Sequence, residues 1–105
     1  MAYKVVWTES ALADLERILD GLAQTSAEAA SKLGNAILDH VEILPRFPRI
    51  GPRYLRDPSG RTREIACGKY RIFYRIDERD QRIQVLTIWH ASREEPDFPG
   101  LAPSQ

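Results

Sequence analysis

The apolar pattern of this chain changes its period at one proline-rich segment. Before residue 45 the leucines and isoleucines recur at helical spacing, and after residue 61 apolar residues alternate with polar ones as in strands. Residues 45–60 between them hold four prolines and two glycines, a composition typical of a connector with turns. Helices first and strands afterwards predict an α+β fold.

Two amphipathic helices are predicted in the first part. Thr8 and Ser26 are suitable N-caps, and Pro45 ends the second helix because proline cannot continue it. The apolar stripes are Leu12, Leu15, Ile18, Leu19 and Leu22 in the first helix, and Leu33, Ile37, Val41 and Leu44 in the second. The short break at Gln24-Thr25 makes the pair a helical hairpin.

Four strands are predicted around this hairpin, at Tyr3–Trp7, Arg61–Cys67, Lys69–Asp77 and Arg82–His90. The order is therefore β-α-α-β-β-β, with the helical hairpin packed on one face of a small antiparallel sheet. A chain of 105 residues forms one domain. We assign residues 1–98 to that domain and residues 99–105 to a C-terminal tail.

Strand alternation assigns the side chains to two faces of the sheet. The expected core face consists of Ile65, Cys67, Tyr70, Ile72, Tyr74, Ile76, Leu86, Ile88 and His90. The other face carries Arg71, Phe73, Arg75, Val85, Thr87 and Trp89. Arginines between aromatic rings are typical of a nucleic-acid surface, because guanidinium groups bind phosphate and rings stack on bases. A half-exposed face in which Glu64 pairs with an arginine explains the pattern equally well.

The charge of the chain is polarised although its net charge is zero. Residues 46–75 contain nine basic and two acidic side chains, and both flanking parts are net negative. A concentrated basic segment indicates an acidic or polyanionic partner. Three uses of Arg46, Arg49, Arg53 and Arg56 in the connector stay open: a solvated loop, a contact for a target, and a dock for acidic residues.

Several classes of site are disfavoured by the sequence. The two histidines, His40 and His90, are isolated, so no metal site is predicted, and no glycine-rich phosphate loop or other cofactor motif is present. No residue is placed to orient His90 toward Cys67, which predicts a buried thiol and not a nucleophile. Neither a signal peptide nor a membrane span is apparent, and a lone cysteine fits a reducing compartment, so we expect a cytoplasmic protein.

An ordered set of segments resembles the ParE branch of the RelE/ParE toxin superfamily. The segments are the opening strand followed by TESALADL, then Phe47–Pro52, Arg63–Ile76 and Ile83–Arg93. The resemblance covers about residues 3–98. It implies the toxin of a type II toxin–antitoxin system, associated with plasmid stabilization. The implied partner is a small DNA-binding antitoxin whose disordered segment neutralises the toxin in a hetero-oligomeric complex.

The superfamily divides by target. ParE-type toxins inhibit DNA gyrase by binding, whereas RelE-type toxins cut messenger RNA on the ribosome. The ending His90-Ala91-Ser92-Arg93 is similar to the ParE pattern, and no tyrosine follows Tyr74, as one more often does in the RelE branch. We therefore expect a gyrase inhibitor without a cofactor, with a ribosome-dependent mRNA endoribonuclease as the alternative.

The resemblance and the strand pattern together give the candidate residues. Those expected to bind the target are Arg71, Phe73, Arg75, Trp89 and Arg93, and those expected to bind the antitoxin are Arg46, Arg49, Arg53 and Arg56. In the endoribonuclease alternative the catalytic residues are Arg71, Arg75, His90 and Arg93. Alternation places His90 on the core side of the sheet, away from Arg71 and Arg75, which favours a structural role for it.

Overall fold

The computed structural model describes residues 3–92 and contains two helices and four strands. They are β1 (Lys4–Trp7), α1 (Glu9–Ala23), α2 (Ala27–Ile43), β2 (Thr62–Cys67), β3 (Tyr70–Asp77) and β4 (Arg82–His90). The predicted fold class and element order are confirmed. The predicted tail, and Arg93 with it, lie outside the described residues.

The strands form one mixed sheet in the order β1-β4-β3-β2. Strands β2, β3 and β4 make the predicted antiparallel meander, and β1 pairs with β4 in parallel. The meander alone is the purely antiparallel part of the sheet. The sheet is mixed because β1 runs parallel to β4. The long connection between these two strands, which includes the helical hairpin, makes this parallel pairing possible.

Both predicted helix caps are present. The hydroxyl oxygen of Thr8 accepts a hydrogen bond from the N–H of Ala11 at 3.1 Å, and that of Ser26 accepts one from the N–H of Ala29 at 3.0 Å. Each cap satisfies a backbone donor that has no partner within its own helix. The hairpin packs on one face of the sheet, where the buried core is made of Ala11, Ile37, Val41, Cys67, Ile72, Val85 and Ile88.

The face assignment of two residues in β4 is wrong because the strand contains a β-bulge. Phe73 pairs with Thr87 and the next residue, Tyr74, pairs with Val85, so Leu86 is an extra residue without a partner of its own. A bulge inserts one residue and reverses the alternation beyond it. Val85 therefore lies in the core below the helices, and Leu86 packs on the opposite side beside Phe73.

Helix α1 completes the outer edge of β4. Strand β1 pairs only with residues 82–85 and leaves the rest of that edge without a neighbouring strand. Asp14 of α1 occupies the position where a neighbouring strand would pair. Its Oδ2 accepts hydrogen bonds from the N–H of Ile88, at 3.2 Å, and from the hydroxyl of Thr87. The Thr8 hydroxyl donates to the carbonyl oxygen of Val85 at 2.8 Å. The start of α1 is thus held to the sheet by polar contacts as well as by the core.

We predict that Asp14→Ala lowers the free energy of unfolding by about 2 kcal/mol, because it leaves the buried Thr87 hydroxyl and the Ile88 N–H without their acceptor. Urea denaturation of both proteins measures the difference. Asp20→Ala, at an exposed position of the same helix, is the matched control and should change stability by less than about 0.5 kcal/mol. Equal effects of the two substitutions would contradict the assigned role of Asp14.

Candidate functional site

The second face of the sheet, opposite the helices, is partly covered by Tyr54 and Asp57 of the connector, residues 45–60. The N–H of Tyr54 donates to the carbonyl oxygen of Thr62 at 2.7 Å, and the N–H of Glu64 donates to that of Pro52 at 3.1 Å. The connector therefore runs beside β2 like a short additional strand. Its Tyr54 ring packs edge-on against the ring of Phe73, with 4.9 Å between the centroids.

The sequence prediction of an open arginine–aromatic face is wrong at its centre. Phe73 is fully buried and Tyr54 is 3% exposed. The ring of Phe73 consequently has no surface on which a base can stack. The strand pattern did not reveal this because alternation separates two faces but does not tell which loop folds over one of them.

Arg75 is buried under the connector in a network with two polar side chains. Its Nε donates to the Thr62 hydroxyl oxygen at 3.1 Å, and its Nη2 lies 3.5 Å from Oδ2 of Asp57. The Thr62 hydroxyl donates to the same carboxylate oxygen at 2.5 Å. The Asp57 side chain is entirely buried and that of Arg75 is 11% exposed. Arg75 thus binds the connector to the sheet.

Arg71 also has an acidic partner on this face. Its Nε donates to Oε1 of Glu64 at 2.8 Å, and its guanidinium carbon lies 4.9 Å from the centroid of the Phe73 ring. Its side chain is 18% exposed. Trp89 is opposite Arg71 in the strand register and packs, half-buried, against the Tyr54–Phe73 pair. Among the predicted target-binding residues that the structure describes, Arg71 and Trp89 are therefore more exposed than Phe73 and Arg75.

Sequence reasoning considered Glu64 but missed Asp57. These two are the only acidic residues of the basic segment 46–75. Each of them forms an ion pair with an arginine of β3. Asp57 pairs with Arg75, and Glu64 pairs with Arg71. Their scarcity in a basic segment was the available signal, because a carboxylate surrounded by arginines usually forms an ion pair. Of the connector arginines, Arg46, Arg53 and Arg56 have no acidic partner among the described residues, whereas Arg49 pairs with Glu78.

The hydrogen bonds at Asp57 favour its ionised form. Burial acts to raise the pKa of this carboxyl, but the hydroxyls of Thr62 and Ser59, the Ser59 N–H and the charge of Arg75 together lower the pKa below its usual range. A carboxyl whose pKa is lower in the folded than in the unfolded protein stabilises the fold at neutral pH. This stabilisation is complete above the ordinary pKa of about 3.9 and disappears as the pH falls through the lowered value.

We predict that Asp57→Asn is destabilising at pH 7 and that the difference in stability from wild type shrinks as the pH falls from about 4 through the lowered pKa of the folded-state carboxyl. Thermal unfolding of both proteins between pH 7 and pH 2.5 measures this. Asp39→Asn, at an exposed position of α2, is the control. A stability difference between Asp57→Asn and wild type that does not depend on pH would contradict the ionised state of Asp57.

His90 lies on the helix side of the sheet, apart from Arg71 and Arg75. Its ring packs edge-on against Tyr70 at 5.1 Å and borders a small cleft of about 130 Å³ beside Arg17. Its Nδ1 accepts the N–H of Ser92 at 3.2 Å. The Ser92 hydroxyl oxygen lies 2.6 Å from the same nitrogen, so Ser92 occupies the Nδ1 side of the ring.

The four predicted antitoxin-binding arginines are all exposed. Arg46, Arg49, Arg53 and Arg56 follow one another along the connector, and only Arg49 has an ion-pair partner among the described residues, namely Glu78. Large apolar side chains are exposed between them, with Phe47 at 58% and Leu55 at 90%. Exposed arginines next to exposed aromatic and aliphatic groups are typical of a protein-binding surface.

Neither a metal-binding cluster nor a membrane-spanning helix is found in the part of the chain that the structure describes. Within residues 3–92, no group of three or more potential metal ligands comes together. Over the same range, neither helix is long and apolar enough to cross a membrane. Cys67 is buried, and burial raises the pKa of its thiol, so the thiolate form is disfavoured.

This architecture is shared by toxins of solved toxin–antitoxin systems. The chromosomal ParDE system from P. aeruginosa matches with a TM-score of 0.72 and 23% identity, over 87% of this chain and 98% of that chain. The RelBE2 complex from Mycobacterium tuberculosis matches with a TM-score of 0.56 and 25% identity, over 86% and 99%. A mutant of E. coli RelE in the free state matches with a TM-score of 0.65 and 18% identity, over 88% and 86%.

The helical hairpin on a four-stranded mixed sheet is the fold of these toxins, and the match of residues 5–95 to a toxin family model places the chain in the ParE/RelE toxin class. Residues 5–95 match the family described as the ParE toxin of the type II toxin–antitoxin system parDE, and the chain belongs to that family. No curated protein sequence matches the chain.

Proposed function

We propose that this toxin acts by binding DNA gyrase and stabilising a stalled or cleaved gyrase–DNA complex, without catalysing a reaction itself. The observation that carries the proposal is the separation of the groups that RNA cleavage would need. Arg71 and Arg75 bind carboxylates on the second face of the sheet, and His90 lies on the other face.

Cleavage of RNA through its 2′-hydroxyl requires a base for that proton, cations for the charge on phosphorus and an acid for the leaving oxygen. Arg75 is buried against Asp57 and cannot reach a phosphate without opening the connector. The Nδ1 atom of His90 is engaged by Ser92, and the ring lies on the face of the sheet opposite to Arg71 and Arg75. These contacts support binding over catalysis.

The alternative is a ribosome-dependent mRNA endoribonuclease like the RelE-type toxins. It needs Arg71, Arg75, His90 and Arg93 to converge on one phosphate, although the first three lie on two faces of the sheet. The likeness to E. coli RelE is a likeness of fold. The same induction experiment tests both functions, because they damage different macromolecules.

In the proposed complex the target contacts Arg71, Trp89 and Arg93. Phe73 and Arg75, which the sequence placed in the same surface, support it from below through the Tyr54 ring and the Asp57 carboxylate. Gyrase acts on DNA inside the bacterium, so the proposal includes a cytoplasmic protein. A gyrase poison controlled by an antitoxin is also suited to plasmid stabilization, because a cell that loses both genes would keep toxin that the antitoxin no longer neutralises.

The antitoxin is proposed to neutralise the toxin by placing an acidic, otherwise disordered segment on the connector arginines. Arg46, Arg53 and Arg56 support this because they are exposed in the most basic part of the chain. Such a segment orders when it binds, so the electrostatic attraction and the burial of Phe47 and Leu55 must exceed the cost of ordering it. The antitoxins in the neighbouring solved complexes support a hetero-oligomeric assembly.

The first functional prediction concerns the target. Purified toxin is expected to inhibit supercoiling by gyrase and to increase cleaved DNA, and Arg71→Ala is expected to reduce this effect roughly tenfold, the loss that follows from removing one hydrogen-bonded charged contact. Supercoiling and DNA-cleavage assays measure both. Arg79→Ala, at an exposed position in the β3–β4 turn, is the control and should inhibit like wild type.

Induction of the toxin in bacteria without its antitoxin distinguishes the alternatives. We expect DNA breaks and an SOS response while messenger RNA stays intact. Rapid codon-dependent cleavage of ribosome-bound mRNA with undamaged DNA would overturn the gyrase proposal and establish the endoribonuclease. The thermal unfolding temperatures of Arg71→Ala and wild type are compared to test whether a loss of inhibition arises from unfolding of the variant.

The second functional prediction concerns the connector arginines. Replacement of both Arg49 and Arg53 by alanine is expected to weaken antitoxin binding at low salt by about tenfold or more, and the difference should narrow as salt screens the charges. The double variant Lys32→Ala with Arg79→Ala removes the same charge elsewhere on the surface and is the control. Titration calorimetry at two salt concentrations measures the affinities, and equal affinities of wild type and Arg49/Arg53 variant would refute the docking role.

A further inference from the structure

The hydroxyl of Tyr74 joins the middle of the sheet to the connector. Tyr74 lies in β3, and its side chain is fully buried in the core. Its hydroxyl oxygen accepts a hydrogen bond from the N–H of Gly51 at 3.0 Å and donates one to the carbonyl oxygen of Pro48 at 2.7 Å. A single side chain of the sheet thus holds the loop formed by residues 48–51 at both of its ends.

This hydroxyl is able to make both hydrogen bonds because it stays protonated. Burial raises the pKa of Tyr74, against the opposing effects of the Gly51 N–H and the charge of Arg63. A neutral phenol is a donor and an acceptor at the same time. The loop is therefore held by the same two hydrogen bonds throughout the neutral pH range.

Two further contacts hold the loop against the sheet. Arg63 of β2 donates from Nη1 to the carbonyl oxygen of Gly51 at 2.7 Å. Gly51 lies so close to the sheet that an added Cβ would be 2.5 Å from the carbonyl oxygen of Glu64 and 2.8 Å from the Tyr74 hydroxyl. Glycine at this position permits the close approach. Residues 48–51 consequently occupy a defined position although they form neither helix nor strand.

The charged side chain presented by this loop is that of Arg49, one of the arginines proposed to bind the antitoxin. Its Nη2 donates to the carboxylate of Glu78 in the β3–β4 turn, and the two side chains are 60% and 51% exposed. A guanidinium carries five N–H donors, so a carboxylate of a partner can bind beside Glu78 or in its place. Arg49 is thus already oriented to bind a carboxylate in the free chain.

We propose that Tyr74 is a positioning residue for recognition of the antitoxin. By holding the loop at Pro48 and Gly51, its hydroxyl keeps Arg49 oriented toward a carboxylate of the acidic antitoxin segment. A surface that is fixed before binding loses less conformational freedom when the complex forms, which increases affinity. The inference rests on the proposed docking of the antitoxin on the connector arginines and is independent of gyrase as the target.

Tyr74→Phe removes the hydroxyl and keeps the buried ring. Using the antitoxin encoded in the reading frame adjacent to this chain's gene, we expect the affinity to fall roughly fivefold, because the loop must then be ordered on binding. Titration calorimetry measures the affinity, and thermal unfolding measures whether the variant remains folded. Tyr70→Phe, at the start of the same strand, is the matched control and should bind like wild type. Equal affinities of the two folded variants would overturn the proposal.

A double-mutant cycle with Arg49→Ala separates positioning from a general structural role. If Tyr74 acts through Arg49, Tyr74→Phe should reduce the affinity by less than about twofold once Arg49 is replaced by alanine. The same loss in both backgrounds would assign a purely structural role to Tyr74 and overturn the proposal.

The single variants of this cycle distinguish the inference from the function on which it rests. If Arg49→Ala binds the antitoxin like wild type, the proposed docking at Arg49 is overturned and the inference with it. If Arg49→Ala binds more weakly while folded Tyr74→Phe binds like wild type, the inference alone is overturned.

Gly51→Ala moves the same loop without a change in the core. Because the added Cβ forces the loop away from the Tyr74 hydroxyl, we expect a loss of affinity similar to that of Tyr74→Phe. Gly21→Ala is the matched control, since a Cβ at that position meets no atom within 4 Å. Equal affinities of the two glycine variants would overturn the proposal, whatever the stability of Tyr74→Phe.

Hydrogen exchange measures the positioning without a partner. The Gly51 amide should exchange slowly in wild type and faster in Tyr74→Phe and Gly51→Ala, because its acceptor is lost or displaced. The Tyr54 amide, which donates to the carbonyl oxygen of Thr62 farther along the connector, should exchange at the same rate in all three proteins. A Gly51 amide that exchanges as fast in wild type as in the variants would overturn the positioning role of Tyr74.

Discussion

The buried ion pair between Arg75 and Asp57 is the interaction on which the second face of the sheet depends. It binds a connector with little regular structure to the middle strand of the meander, and the Thr62 hydroxyl bonds to both partners of the pair. Buried charges are tolerated in proteins when they are paired and hydrogen-bonded. With the connector held down, Tyr54 covers Phe73, and the edge of β2 is paired as far as Glu64.

The same pair changes the meaning of the basic segment. Two of its cations are neutralised inside the fold by the only two carboxylates of the segment, so Arg71 and Arg75 are not a free phosphate-binding pair. The exposed positive charge lies instead on the connector. At the surface these cations can be reached by salt and by a partner, as the proposed docking of an acidic antitoxin segment requires. The arrangement supports the proposed binding function.

Much of the fold followed from local signals. Thr8 and Ser26 cap their helices as predicted, Pro45 directly follows the last turn of the second, and the three strands of the meander lie close to their predicted bounds. These features depend on neighbouring residues, which is why one sequence is sufficient to find them. The bulge at Leu86 was missed because an inserted residue leaves no local signal in a strand rich in apolar side chains.

The sequence by itself determined the α+β class, the element order, the separation of His90 from the β3 arginines and the polarised charge. Each of these depends on spacing along the chain or on simple counting. Only the tertiary structure decided that the connector folds over Phe73, that Asp57 neutralises Arg75, and that Tyr74 holds the loop at residues 48–51. Those outcomes depend on contacts between residues far apart in the sequence, and alternation cannot tell which loop covers which face.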